Sequence, residues 1–113
     1  MATLIIVWHG SSKPQWSEVA QSARTYLAQH IDAPIITASV ADFEAKLMDS
    51  VESGDREIVV LPLFVAPGAH IFDDVDGAIE ACTISHPNVS ITRKPTLLEM
   101  PVILDALVRE VQR

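Results

Sequence analysis

Along this chain, unbroken apolar runs alternate with segments of helical period. Thr3 to Trp8 form a short, nearly continuous apolar run, the pattern of a strand covered on both faces. Between residues 16 and 31, Trp16, Val19, Ala20, Ala23, Leu27 and Ile31 fall on one helical stripe. Ile35 to Val40 read as a second strand. Phe43, Leu47 and Val51 then recur at i, i+4, i+8, and Ser53-Gly54-Asp55 is the stop signal of that helix. The longest apolar run, Ile58 to Val65, predicts a third strand. Ile71, Val75, Ala78, Ile79 and Cys82 mark a third helix, Val89 to Thr92 a short alternating strand, and Met100, Ile103, Leu104, Leu107 and Val111 a final helix.

The resulting order, βαβαβαβα, predicts a parallel four-stranded sheet with helices on both faces, a three-layer α/β/α fold. Strands one and three are almost wholly apolar, as central strands are. Strands two and four carry Thr37, Ser39, Ser90 and Thr92, which suits edges. The expected strand order is therefore 2-1-3-4. Its topological switch point lies between strands one and three, and ligands of open α/β sheets bind there, outside the carboxyl ends of those strands.

Composition narrows the picture. With 113 residues, 49% hydrophobic and 20% charged, the chain is read as one folded domain, residues 1–113, and not as a disordered segment. Fifteen acids against eight bases give a net charge of −7, the wrong sign for coating a phosphate backbone or an anionic membrane surface. No apolar run reaches the ~18 residues needed to span a bilayer, and no signal-peptide pattern opens the chain. The single cysteine, Cys82, makes neither an intrachain disulfide nor a zinc cluster by itself. A cytoplasmic protein with no nucleic-acid and no membrane partner is expected.

Candidate chemistry collects at the switch point. Strand one ends in Trp8-His9-Gly10-Ser11-Ser12-Lys13-Pro14, and strand three runs into Pro67-Gly68-Ala69-His70, with Asp73-Asp74 just beyond. His9 and His70 thus converge on the expected crevice, each beside small residues that let backbone and ligand approach closely. A neutral imidazole is both a common metal ligand and a base that titrates near physiological pH. His30, at the end of the first helix where positive charge suits the dipole, and His86, in a turn before Pro87, are read as structural. Trp8 and Trp16 are read as core.

His9-Gly10-Ser11 with Pro14 resembles the "HGS…P" opening of the sirohydrochlorin chelatases. Leu61-Pro62-Leu63-Phe64, followed by Gly68-Ala69-His70 and Asp73-Asp74-Val75, is similar to their "PLFL…G.H…DI" segment. Length, element order and the spacing of both motifs agree over most of the chain. The resemblance implies a chelatase-like fold and a homodimer that inserts a divalent metal (Co²⁺, Ni²⁺ or Fe²⁺) into a reduced tetrapyrrole such as sirohydrochlorin. The metal is then a substrate, and no organic cofactor is implied. The motif histidines, matching His9 and His70, would hold the incoming metal and accept pyrrole protons. Imidazoles suit both jobs, because they bind borderline metals without a permanent thiolate grip and take up protons when neutral.

The implied substrate is a polycarboxylate, which an acidic protein must meet with local bases. Lys13, Arg93 and Lys94 are expected at the substrate edge, with anion-binding backbone N–H groups at Ser11-Ser12 and Gly68-Ala69. Asp73 and Asp74 either orient His70 or simply complement a helix dipole.

The sequence also departs from the family. Ser12 stands where the family often has Arg. The segment Ala38-Ser39-Val40-Ala41-Asp42 lacks the family's "FLE" glutamate, for which Asp42 is the candidate substitute. A non-catalytic metal- or tetrapyrrole-binding relative is the alternative this raises. A flavin or phosphate binder in the same crevice would want a Gly-rich cradle that the chain lacks. Serine hydrolysis would want a G-x-S-x-G elbow, equally lacking.

Overall fold

The computed structural model describes residues 2–10 and 14–113, with the backbone alone for residues 14, 16, 70 and 72. Its elements run β1 (Thr3–Trp8), α1 (Pro14–His30), β2 (Ile35–Ser39), α2 (Val40–Glu52) and β3 (Glu57–Pro62). A π-helical turn (His70–Asp76) then leads into α3 (Gly77–Ser85), followed by β4 (Ser90–Arg93), a 3-10 turn (Leu97–Glu99) and α4 (Pro101–Gln112). The four strands form one parallel sheet in the order β2-β1-β3-β4, as the strand compositions predict.

Register divides the sheet into two faces. Pairing of Ile5 with Ile36 and Val60, and of Ile58 with Ile91, puts these residues on one side. There α2, the π turn and α3 cover them, and Ile5, Val7, Phe43, Leu47, Ile58, Val60, Ile71, Val75 and Cys82 form a sealed core. Leu4, Ile6, Val59, Leu61 and Thr92 face the other side. α1 lies towards β2 on that side, and Leu4 and Ile6 are buried. Val59 and Leu61 stay half-buried, however, and Ser90 and Thr92 are exposed.

Four expectations change. β3 ends at Pro62 and not at Val65, because proline brings no N–H to extend the ladder; Leu63 still donates to the Val7 carbonyl at 2.8 Å before the chain departs. The stripe of α1 is only part-covered: Ala20, Ala23 and Leu27 are half-buried, whereas Val19 and Ile31 are exposed. Trp8 is half-buried and not core, while the Trp16 side chain lies outside the described atoms. The α4 stripe is present, yet none of its residues is buried.

Candidate functional site

The carboxyl ends of β1 and β2 open into a cleft of about 720 Å³. Its walls come from His9, from the first turns of α2 (Val40, Ala41, Glu44), and from the π turn and α3 (Asp73, Asp74, Gly77, Ala78, Ala81). This volume lies in the range typical of small-molecule sites.

Each wall has a local cause. β1 ends at Trp8, and Gly10 turns the chain with φ = 79°. A Cβ on Gly10 would sit 3.1 Å from the Ser39 Cβ, so the close approach of the β1 and β2 ends needs glycine there. Ser39 in turn caps α2: its hydroxyl accepts from the Asp42 N–H at 3.3 Å and lies 3.2 Å from the Asp42 carboxylate, to which it donates. Burial of Phe43 and Leu47 then fixes the rotation of α2 and brings Glu44 onto the cleft. On the far wall, Ile71 and Val75 are buried four residues apart, which leaves Asp73 and Asp74 exposed along the cleft. A π-helical turn is uncommon and recurs at functional sites.

His9 is exposed at the mouth, between the edges of Trp8 and Phe64, whose ring centroids each lie 6.2 Å away. Its Nδ1 is 2.7 Å from the Gly10 carbonyl oxygen. A carbonyl only accepts, so Nδ1 carries the proton and the lone pair of the neutral ring is on Nε2. Such a backbone-anchored imidazole has the arrangement usual for a metal ligand. His9 also borders a second, smaller hollow of about 100 Å³, lined by Trp8, Val19, Ala20, Ala23 and Leu63. One side of the histidine is therefore acidic and the other apolar.

The remaining expected site residues are placed unevenly. Ser11, Ser12 and Lys13 lie outside the described residues, as does the His70 side chain; the His70 backbone opens the π turn. The Gly68 carbonyl accepts from the Ile71 N–H at 3.0 Å, and Ala69 immediately precedes the turn, so both sit beside the far wall. Arg93 forms an ion pair with Asp76 (Nε to Oδ1 2.5 Å, with a second bond from Nη2 to Oδ2 at 3.2 Å), which ties β4 to the π turn. Lys94 is exposed past the end of β4, its N–H bonded to the Val60 carbonyl. His30 closes α1 by its Nδ1 contact with the Tyr26 carbonyl (2.9 Å) and stacks on that ring, and His86 caps α3, both structural as read from the sequence. Among the described residues, no three His, Cys, Asp or Glu side chains converge on one metal position.

A family model for CbiX matches residues 3–113. The chain belongs to the CbiX family. Two sirohydrochlorin cobaltochelatases are similar to this CbiX-family chain. That of Methanosarcina acetivorans is 28% identical over 81 residues, 67% of this chain and 62% of that protein. That of Saccharolobus islandicus is 27% identical over 78 residues, 66% and 61% of the two lengths. The matches thus span about three fifths of those relatives' length. Among solved structures, the putative cobalamin biosynthesis CbiX protein of Marinobacter aquaeolei has the same fold, with a TM-score of 0.71 and 24% identity over 100% of this chain and 99% of that one. SirB from Bacillus subtilis with Fe³⁺ aligns at 0.68 and 23% identity, over 86% of this chain and 41% of that one. The cobalt complex of SirB from Bacillus subtilis subspecies spizizenii aligns at 0.67 and 24% identity, over 84% and 44%.

Glu44 is the cleft residue that sequence reading missed in this CbiX-family chain. Asp42, the candidate there, is held in the cap of α2, and Glu44 supplies a carboxylate to the wall. The signal was its place one residue after Phe43, but which side of a helix faces a ligand depends on how the core rotates it.

Proposed function

We propose that this CbiX-family chain inserts a divalent metal ion, Co²⁺, Fe²⁺ or Ni²⁺, into sirohydrochlorin or a related reduced tetrapyrrole. The observation that carries this reading is the position of His9, between an acidic cleft and an apolar hollow at the carboxyl end of β1. Glu44, Asp73 and Asp74 make the cleft attractive to a hydrated cation. The hollow beside Trp8 and Leu63 offers apolar surface to a macrocycle. His9 Nε2 exchanges the ion from one side to the other. Insertion releases two N–H protons as the ion sheds water, so one aqueous M²⁺ and one free-base tetrapyrrole give the metallated product and two H⁺. One imidazole nitrogen cannot hold the ion and take a proton at once, which is why a second histidine, His70, belongs in the same mechanism. The cleft carboxylates relay the released protons to water.

The tetrapyrrole carboxylates are assigned to Lys94 and Arg93 and to the loops Ser11-Ser12-Lys13 and Gly68-Ala69. Arg93 carries its charge partly spent on Asp76, which makes Lys94 and Lys13 the principal contacts. The chain acts as one chelatase-like unit, residues 1–113, in a cytoplasmic homodimer and without an organic cofactor. Among the described residues, no helix is long and apolar enough to cross a membrane.

The test is metallation of sirohydrochlorin by Co²⁺, Fe²⁺ and Ni²⁺, followed by the visible spectrum. His9→Ala and His70→Ala are each expected to slow the protein-dependent rate by about 10²- to 10⁴-fold. Wild-type rates in both variants would overturn the site. Stoichiometric binding of the tetrapyrrole with no rate above the protein-free mixture would instead select the binding-only relative, the alternative raised by the altered segment from Ser39 to Asp42.

A further inference from the structure

The wall that carries His70 is built on an uncommon backbone. At Ala69 (φ −56°, ψ −41°), Asp76 (φ −65°, ψ −35°) and Gly77 (φ −62°, ψ −44°) the dihedrals are right-handed helical, so the π turn runs into α3 without a break. The two pairings differ in whether each N–H reaches back five residues or four. A change from π to α pairing takes one residue out of the turn. It would swing whatever precedes the turn by about 100°, one helical step, relative to α3. What holds this segment in register therefore decides where His70 stands.

Three supports are visible. Ile71 and Val75 are buried in the core, and α2 packs along the turn. Towards the opposite edge of the sheet stands Arg93, the last residue of β4. Its Nε lies 2.5 Å from Asp76 Oδ1, and its Nη2 donates to Oδ2 at 3.2 Å. The two side chains are only 23% and 33% exposed. Asp76 closes the turn that His70 opens, so this pair ties the turn to the sheet.

The same geometry argues against a first duty to substrate. A guanidinium grips a carboxylate best through two parallel N–H groups, and here that fork is taken by Asp76. Nη1 donates to the Lys94 carbonyl at 3.2 Å, which turns a further donor inward. Asp76 itself is absent from the cleft walls, whereas Asp73, Asp74 and Gly77 line them.

We propose that Arg93 is a positioning residue, which through Asp76 keeps the π turn in register and so sets where His70, Asp73 and Asp74 stand across the cleft from His9. This deepens the chelatase reading above and rests on it. Groups that pass an ion between them must be placed closely, since a misplacement of about 1 Å can cost about 100-fold in rate. The fork matters as much as the charge, because lysine supplies a point charge without direction. The tetrapyrrole carboxylates then fall to Lys94 and Lys13.

The test compares Asp76→Asn, which removes the partner, with Arg93→Lys, which keeps the charge and loses the fork. In metallation of sirohydrochlorin by Co²⁺, each is expected to lower kcat about 10- to 100-fold, with the tetrapyrrole KM within about two-fold of wild type. A substrate contact predicts the reverse: Asp76→Asn frees Arg93 and lowers the KM, and kcat stays unchanged in both variants. That result would overturn the positioning role. A second readout needs no turnover. Zn²⁺, added alone, is followed by the ¹H–¹⁵N signals of the imidazole rings. In the wild type the His9 and His70 signals are expected to shift together, and in Asp76→Asn to separate, His70 needing about 10-fold more Zn²⁺. Joint shifts in a wild type that does not metallate would refute the chelatase reading and leave the positioning standing. His70 shifts alike in Asp76→Asn and wild type, or His9 and His70 shifting independently in the wild type, would refute the positioning.

Discussion

The two faces of this sheet are built from similar apolar residues yet finish very differently. On one, Phe43, Leu47, Ile71 and Val75 from α2 and the π turn close over Ile5, Val7, Ile58 and Val60, all at or near zero exposure. On the other, α1 shields Leu4 and Ile6 while Val59 and Leu61 remain half open and α4 stands away. The sealed face is where precision is needed, because the same helices that bury it hold Glu44, Asp73 and Asp74 at the cleft. A well-packed core has one arrangement, and that arrangement positions the carboxylates. The open face carries the apolar hollow beside His9 at one end, under α1, and over β3 and β4 it is only part-covered.

The sharpest way to break this contrast is to remove a side chain from each face. Phe43→Ala empties the sealed core and is expected to cost about 3–5 kcal/mol in chemical denaturation, at every protein concentration. Leu107→Ala, at an exposed position of α4, is expected to cost only about 0.5 kcal/mol in the same experiment. Equal losses in the two variants would erase the distinction between the faces.

A smaller effect tests how the sealed face reaches the site. Ser39→Ala deletes the α2 cap and is expected to cost about 1 kcal/mol, read in the same denaturation experiment. Because α2 stays pinned by Phe43 and Leu47, metallation should fall little. A large loss of activity at unchanged stability would mean that Ser39 serves the substrate and not the helix.

The smallest effect belongs to the turn that sends α4 outward. Hydrogen bonds from the Thr96 hydroxyl (2.7 Å) and N–H (3.0 Å) hold the Glu99 carboxyl below the usual carboxylate range. A carboxyl lowered in the folded state stabilises above its unfolded pKa, and that contribution is lost as pH falls through the folded value. Glu99→Gln is therefore expected to be slightly less stable than wild type at neutral pH and to converge with it under acid. A constant gap across that range would remove the carboxylate from the account.

Cys82 illustrates how far a residue type alone can be read. Its place on the α3 stripe announced a core position, and burial does push the thiol up from its ordinary value, so it stays protonated and a poor nucleophile at neutral pH. His9 was legible for a different reason: the end of a central apolar strand locates a residue in an open α/β sheet almost by counting. Glu44 and Arg93 were not legible. Whether Glu44 faces the cleft depends on the rotation imposed by Phe43, and Arg93 is engaged by Asp76, seventeen positions away.

By itself the sequence determined the element order, the strand order 2-1-3-4 and the location of His9 at the switch point. These follow from local periodicity and from how apolar each strand is, which nearest neighbours encode. Tertiary structure alone decided which carboxylate enters the cleft, which base is spent on an ion pair, and which of two apolar stripes finds a cover within its own chain. Periodicity states that a face must be buried. Only the packing of distant segments states against what, and for α4 the answer among the described residues is chiefly its own turn.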